Sequence, residues 1–451
     1  MTSIEKNYLQ MICRSCHLNE QNSDGDKENP QRETVSEQTA HQLVELAQKQ
    51  YMAPFLLQDL KGTACFEYVK RQAKMMMFNY YQIEELTIKT TQLLEAEHIP
   101  YILLKGISLA ACYPVPEYRK LGDLDLLILD QEKLELTKKV LKDNQYEEEE
   151  EESDHHLTYF YKFSNGRRHI IEVHYRIVGV YHYAPTNHVI DQVFSGQHLK
   201  PVIQRIEGRN YPVLPPTEYT FYMLHHMLKH YLYDGFGIRL LCDFSLYVEK
   251  NGKDIDFTQL NEWCSKSGMA YFFATIMDCC KKYLGLSKMI PGMLSIPENE
   301  CDQFMTQILG GHEVGNEKQS SLVYSGTYRR ANLLACFKEG HTQMKVRFPK
   351  LGRIVPIWPV LWGFTFYHFV KNTYRVRNTT LRQTIKDFKT DNQRAENLHL
   401  FEKRIKVEKR IKAANILRIK CTKRQLRMEL PLIYASNEPK ITLLLHGHYL
   451  Q

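Results

Sequence analysis

The chain has 451 residues, 43% of them hydrophobic and 25% charged, with a formal net charge of +7. That length exceeds one hydrophobic core and predicts two or three packed units, in a composition ordinary for a globular protein. Eleven cysteines without framework spacing, behind an N-terminus "MTSIEKNYLQMICRSC" that lacks an apolar export core, point to a reducing cytoplasm and to no disulfides.

The charge is uneven. Residues 371–427 hold 18 Lys and Arg against 5 Asp and Glu, whereas residues 1–370 hold 40 against 45. The body is mildly acidic, so nucleic-acid binding can rest only on that late segment.

In chain order, Cys13-Arg14-Ser15-Cys16-His17 matches the c-type haem attachment pattern. With no export signal and a polar stretch behind it, chance is the better reading, ahead of adventitious zinc. "NEQNSDGDKENPQRETVSEQT" has almost no large apolar side chains to offset its ordering entropy, so residues 1–40 are expected to be a flexible N-terminus. Order is expected near His41, with bracing helices over 41–100: one up to Pro54 and a long one from Phe66 to Glu97. His98-Ile99-Pro100 should stop it, because proline disfavours helical backbone in the residue before it.

"YILL" then reads as a short strand that turns at Lys105-Gly106 into the helical "ISLAACY", a joint whose backbone N–H groups suit an anion. "LGDLDLLILD" follows. Alternation puts Asp123 and Asp125 on one face of a strand, Leu124 and Leu126 on the other. Buried carboxylates without a partner cost several kcal/mol, so a cation is expected to meet them. A helix over Glu132–Leu141 precedes the acidic run Glu147–Glu152, read as a solvated loop. "LTYFYKF" and "RHIIEVHYRI" flank Asn165-Gly166, a hairpin signal, and the second run places Glu172 and His174 on one face.

After Pro215-Pro216 the chain turns helical: "TEYTFYMLHHMLKHYLYDG", "IRLLCDFSLYVEK", "DFTQLNEWCSKSG" and "AYFFATIMDCCKKYLG". His226 and His230 are four apart, as zinc ligands can be, yet lack the intervening Glu of a helical metalloprotease pair, so hydrogen bonding to Asp243 or a place on the acceptor side of a cleft is expected instead. Arg239 and Asp243 suit an intrahelical ion pair. "IVPIWPVLWGFTFYHFV", residues 354–370, is too short and too interrupted for a span and is read as packed, with a peripheral membrane contact as the alternative. The basic tail beyond Val370 is read as solvated, with protein, anionic membrane or RNA as its candidate partners.

A glycine turn, two carboxylates at i and i+2 on a strand and a third on a neighbouring strand suit transfer chemistry with Mg²⁺ (or Mn²⁺), a hard ion that takes oxygen ligands. From about His41 to Val370 the chain also resembles the nucleotidyltransferase superfamily (DNA polymerase beta-like), and within it an uncharacterised bacterial nucleotidyltransferase family. The likeness lies in "LLKGISLAACYPVPEYRKLGDLDLLI" (Lys105, Gly106, Tyr113, Arg119, Gly122, Asp123, Asp125), in "IEVHYRI" (Glu172) and in "HMLKHYLYDGFGIRLLCD" (His226, Lys229, His230, Arg239, Asp243). It departs from the superfamily where Gly106 is followed by Ile107 and Ser108 comes one place late.

The resemblance implies an α+β nucleotidyltransferase fold: a catalytic domain over 101–214 with a small mixed sheet and a helical domain over 215–370; it ends before the basic tail, residues 371–451. It implies transfer of a nucleoside monophosphate from an NTP to an unidentified hydroxyl, releasing pyrophosphate. Asp123, Asp125 and Glu172 would be catalytic and hold the metal. Lys105, Gly106, Ser108 and Arg119 would hold phosphates, and His174, His226, His230, Arg239 and Asp243 would lie on the acceptor side. A catalytically inactive nucleotide-binding or antitoxin-like interaction protein is the alternative.

Overall fold

The computed structural model describes residues 1–16, 35–149, 155–179, 184–196, 199–233, 236–288, 290, 292–310, 341, 344–345, 348 and 351–375. Within them the chain is α+β, with one seven-stranded mixed sheet and helices around it. Helix α1 (Ser3–Ser15) comes first, closed by a capping box in which Thr2 and Glu5 each satisfy the other's backbone N–H. It buries Tyr8, Leu9, Met11, Ile12 and Cys13 and packs against α2 (Glu37–Lys49) and α10 (Ala270–Leu284). The expected flexible residues 1–40 are therefore corrected for 1–16 and 35–40. Order starts at α1, and α2 starts before His41, capped by Ser36. Low hydropathy just downstream hid a helix whose apolar stripe is stabilised only by distant partners. His17 and the rest of the expected linker up to residue 34 lie outside the described residues.

Helix α3 (Phe66–Ala96) runs 31 residues without Gly or Pro and buries a stripe at helical spacing that includes Val69, Ala73, Met76, Tyr80, Ile83 and Leu94. Buried Thr87, Thr90 and Thr91 stay on that face because their hydroxyls donate back to the carbonyls of Ile83, Leu86 and Thr87. The helix ends at Ala96, before Pro100; beyond its cap His98 has φ 51° while the Ile99 N–H returns to the Leu94 carbonyl at 2.8 Å.

The strands are β1 (Ile102–Leu103), β2 (Asp123–Leu127), β3 (Glu147–Glu148), β4 (His156–Lys162), β5 (Arg168–His174), β6 (Val202–Ile206) and β7 (Arg209–Val213), in the spatial order β3-β4-β5-β2-β1-β7-β6. β2 lies parallel to β5 and antiparallel to β1. β4 and β5 form the hairpin expected at Asn165-Gly166, where Gly166 takes φ 82°. The acidic run is not simply a loop: its first two residues form the exposed edge strand β3, and Glu147 pairs with Arg168 at 2.8 Å. The β6–β7 hairpin adds strands not read from sequence, although Glu207-Gly208 marks its turn, with positive φ at both residues.

Two helices punctuate this sheet, α4 (Ile107–Ala110) after β1 and α5 (Gln131–Asp143) after β2, and α6 (Ala184–Val193) precedes β6. Leu124, Leu126, Ile171 and Val173 are buried on one face of the central strands, and α3 packs on β2 and α5. Beyond the sheet come α7 (Pro216–Tyr233), α8 (Ile238–Asn251), α9 (Phe257–Lys266), α10 and α11 (Glu298–Gly310). Gly285 closes α10 in the left-handed conformation expected of a terminal glycine.

Helix α12 (Trp358–Arg375) follows two short 3₁₀ turns; of the stretch expected to pack, Leu361 is buried and the Trp358 indole donates to the Gly352 carbonyl at 2.9 Å, while Val355, Val360, Phe364, Phe366 and Tyr367 are exposed. Among the described residues no helix is long and apolar enough to cross a membrane. The tail beyond residue 375 lies outside the described residues.

Candidate active site

Parallel pairing of β2 with β5 sets Asp125 beside Glu172 and Leu127 beside His174. Strand alternation therefore gathers Asp123, Asp125, Glu172 and His174 on one sheet face, opposite the buried leucines and valine. Ligand atoms of Asp125, Glu172 and His174 all lie within 4.8 Å of one another. His174 Nε2 is 3.1 Å from Asp125 Oδ1 and 3.3 Å from Glu172 Oε2. Asp123 is the outermost of the carboxylates, with 30% of its side chain exposed against none for Asp125.

The cation that meets the two aspartates inside this fold is Lys105. Its Nζ lies 3.1 Å from Asp123 Oδ2 and 3.2 Å from Asp125 Oδ1. Burial works against that ammonium, yet Asp123 and Asp125 hold its pKa well above the ordinary lysine value. Burial, then the Asp123 charge, push the Asp125 carboxyl up to about 6 despite Lys105 and His174. Glu172 moves the other way: burial raises it, but the His174 hydrogen bond and Lys105 hold it well below the usual carboxylate range. Glu172 is also the more exposed of the two. Burial disfavours the His174 cation, and Asp125 and Glu172 more than offset that, so its pKa is raised.

A cleft of about 320 Å³ opens between this sheet edge and helices α7 and α8. Lys105, Gly106, Arg119, Lys120 and Asp123 line its sheet side; Tyr222, His226, His230, Arg239 and Asp243 line its helical side. The fold thus brings most of the sequence-predicted residues to one place. His226 and His230 face each other, their Nε2 atoms 3.1 Å apart. Burial and the neighbouring His230 keep His226 well below the ordinary histidine value.

Three of the predicted residues meet partners that the sequence did not show. Ser108 does not face the cleft: it is 1% exposed, and its hydroxyl bonds to the Lys105 carbonyl at 3.0 Å and to the Tyr219 hydroxyl, because one turn into α4 its side chain points to the core. Arg119, expected on phosphates, is 3% exposed and makes a two-pronged pair with Asp243, at 2.7 and 2.8 Å, while its third nitrogen donates to the Gly106 carbonyl at 3.3 Å. Asp243, expected on the acceptor side or beside the histidines, is the hub of that pair, accepting from Tyr113 at 2.6 Å, with Arg239 at 3.5 Å. The intrahelical Arg239–Asp243 pair is thus present as one member of a larger cluster.

Two site residues escaped the sequence reading. His155 and His156 stand at the start of β4, and the hairpin register pairs His156 with His174. The signal was available: counting outward from the Asn165-Gly166 turn reaches that pair directly.

An ion fits the carboxylates. Asp125 Oδ2 is buried without a hydrogen-bond partner among the described residues, and carboxylate oxygens are the donors that a hard dication takes.

Comparison with known proteins adds the family. No curated protein matches the chain. A crystal structure of an antigenic nucleotidyltransferase-like protein from Paracoccidioides brasiliensis aligns at a TM-score of 0.30 and 15% identity, over 46% of this chain and 95% of that one, a likeness too loose to transfer any residue role. A family model described as "Uncharacterised nucleotidyltransferase" matches residues 36–285, which span α2 through the end of α10 and contain every side chain of the cleft. On that match, the chain belongs to the uncharacterised nucleotidyltransferase family.

Proposed function

We propose that the chain transfers a nucleoside monophosphate from an NTP to a hydroxyl acceptor in the cleft between the sheet and α7–α8. The observation that carries this is the meeting of Asp125 and Glu172 from two parallel strands, with Asp125 Oδ2 buried and unpartnered, beside Asp123 at the mouth of a cation-lined cleft. Asp123, Asp125 and Glu172 would hold Mg²⁺ or Mn²⁺, which when bound polarises the phosphoryl oxygens and stabilises the pyrophosphate leaving group. The acceptor oxygen forms a bond to the α-phosphorus as the bond from that phosphorus to the bridging oxygen breaks, and the hydroxyl proton passes to Glu172, which His174 keeps ionised. Lys120 and Arg239 on the cleft wall face the triphosphate charge, while Arg119 acts through Gly106, whose carbonyl it fixes. Gly106 holds the turn that places Lys105 against the aspartates.

A second reading, a nucleotide-binding or antitoxin-like protein without turnover, is favoured by one observation: the Lys105 ammonium already sits between Asp123 and Asp125. Incubating the full chain with α-³²P-labelled NTPs, Mg²⁺ or Mn²⁺ and cell extract separates the two. Transfer predicts labelled product that falls by at least about 10²-fold in Asp125→Ala. Saturable NTP binding with no label transferred would favour the second reading, and equal labelling by both proteins would sink the assigned site.

A further inference from the structure

Beside the carboxylates, the same sheet face carries a cluster of imidazoles, of which the proposed transfer uses only His174. His156 opens β4 opposite His174 at the end of β5, and His155 directly precedes it. His156 Nδ1 lies 3.0 Å from His155 Nε2, and one ring nitrogen from each of His155, His156 and His174 lies within 4.8 Å of the others. Glu172 stands at the other ring nitrogens, 3.8 Å from His156 Nε2 and 3.3 Å from His174 Nε2, where it orients the two rings. An ion bound tetrahedrally at about 2.0–2.1 Å spaces its ligand atoms roughly 3.3 Å apart, a spacing within reach of these three imidazole nitrogens.

A second observation points to a ligand. His174 is 4% exposed, and its Nδ1 is buried with no hydrogen-bond partner among the described residues. Its Nε2 is held between Asp125 and Glu172. That is the division of labour in metal-binding histidines, one nitrogen oriented by a carboxylate and the other left for the ion. Positive charge is also accepted here: Lys229 Nζ sits 3.1 Å from His155 Nε2, and a dication would take over that place. Imidazole suits zinc, copper, iron and nickel, whereas magnesium takes oxygen, so this donor set selects a different ion from the carboxylates.

We propose that His155, His156 and His174 form a binding site for a divalent transition ion of the zinc class. The site stands on the imidazoles and does not depend on NMP transfer taking place.

The test uses the full chain stripped with chelator, with Co²⁺ as a visible substitute for zinc. One Co²⁺ per chain should bind with the visible spectrum of a four-coordinate site, yield to Zn²⁺ and persist in a large excess of Mg²⁺. Affinity should fall on the order of 10²-fold in His156→Ala and His155→Ala and persist in His226→Ala, which breaks the other histidine pair. Asp123→Asn should keep the cobalt spectrum while losing any NMP transfer, so the two readings fail separately. Equal Co²⁺ affinity in wild type and both His variants, loss in His226→Ala alone, or an intense sulfur-to-cobalt absorption band would overturn the site. Should the variants misfold, the wild type decides: Zn²⁺ must raise its unfolding midpoint in a way that Mg²⁺ does not.

Discussion

Asp243 shows how one buried side chain ties the sheet to the helices. It is 1% exposed and is matched by Arg119 from the segment before β2, by Tyr113 after α4 and by Arg239 one turn away in α8. Removing one member of a buried pair leaves its partner's charge uncompensated, so Asp243→Asn should lower unfolding stability by about 3–5 kcal/mol, read from the urea midpoint. Burial raises the Asp243 carboxyl, but Arg119 outweighs it and holds the pKa below the ordinary carboxylate value. Its stabilisation is therefore fully present above that ordinary value and is lost as pH falls through the lowered one. The acid limb of the stability profile should be shallower in Asp243→Asn than in wild type. Ser108→Ala should cost about 1 kcal/mol through its bond to Tyr219 and leave NTP binding unchanged, a pair of results that calorimetry reads on one sample.

Among the elements, the joint between β1 and α4 positions Lys105. Gly106 takes φ 66° and ψ −125°, a backbone region that side chains disfavour, while a Cβ there would meet only the Asp123 carbonyl at 3.9 Å. The cost of Gly106→Ala is thus backbone strain rather than a clash. We expect a loss of about 1–3 kcal/mol by chemical denaturation, with the Lys105 ammonium shifted from the aspartates. The hairpin β4–β5 does comparable work through register, since its turn sets Glu172 opposite Thr158 and His174 opposite His156. Strand, turn and face were readable from alternation and from Asn-Gly because those signals are local. The α4 side-chain directions were not, and Ser108 was assigned to the wrong side of the joint.

Across the molecule, the N-terminal helix is part of the folded body: α1 packs on α10 from the far end of the described chain, and Cys13 Sγ bonds to the Tyr283 carbonyl at 3.1 Å. Cys13 and Cys16 are buried there as thiols, and burial, the largest cause, pushes Cys13 up to about 12. Ile12 is fully buried, so Ile12→Ala should cost about 2–5 kcal/mol in a single cooperative unfolding transition. A wild-type midpoint in that variant would show α1 to be detached from the fold.

Taken alone, the sequence determined the central strands, the long helix, the β4–β5 hairpin and the family, because each is written in short-range periodicity, turn residues or ordered motifs. It also placed Asp123, Asp125, Glu172 and His174 on their faces, since alternation along a strand needs no partner. What only the tertiary structure decided is which groups meet: Lys105 between the aspartates, Arg119 on Asp243, and two further imidazoles beside His174. These contacts join residues 18 to 124 positions apart, or depend on the register between strands. Charge pairing at such separations follows from packing, which no local pattern encodes.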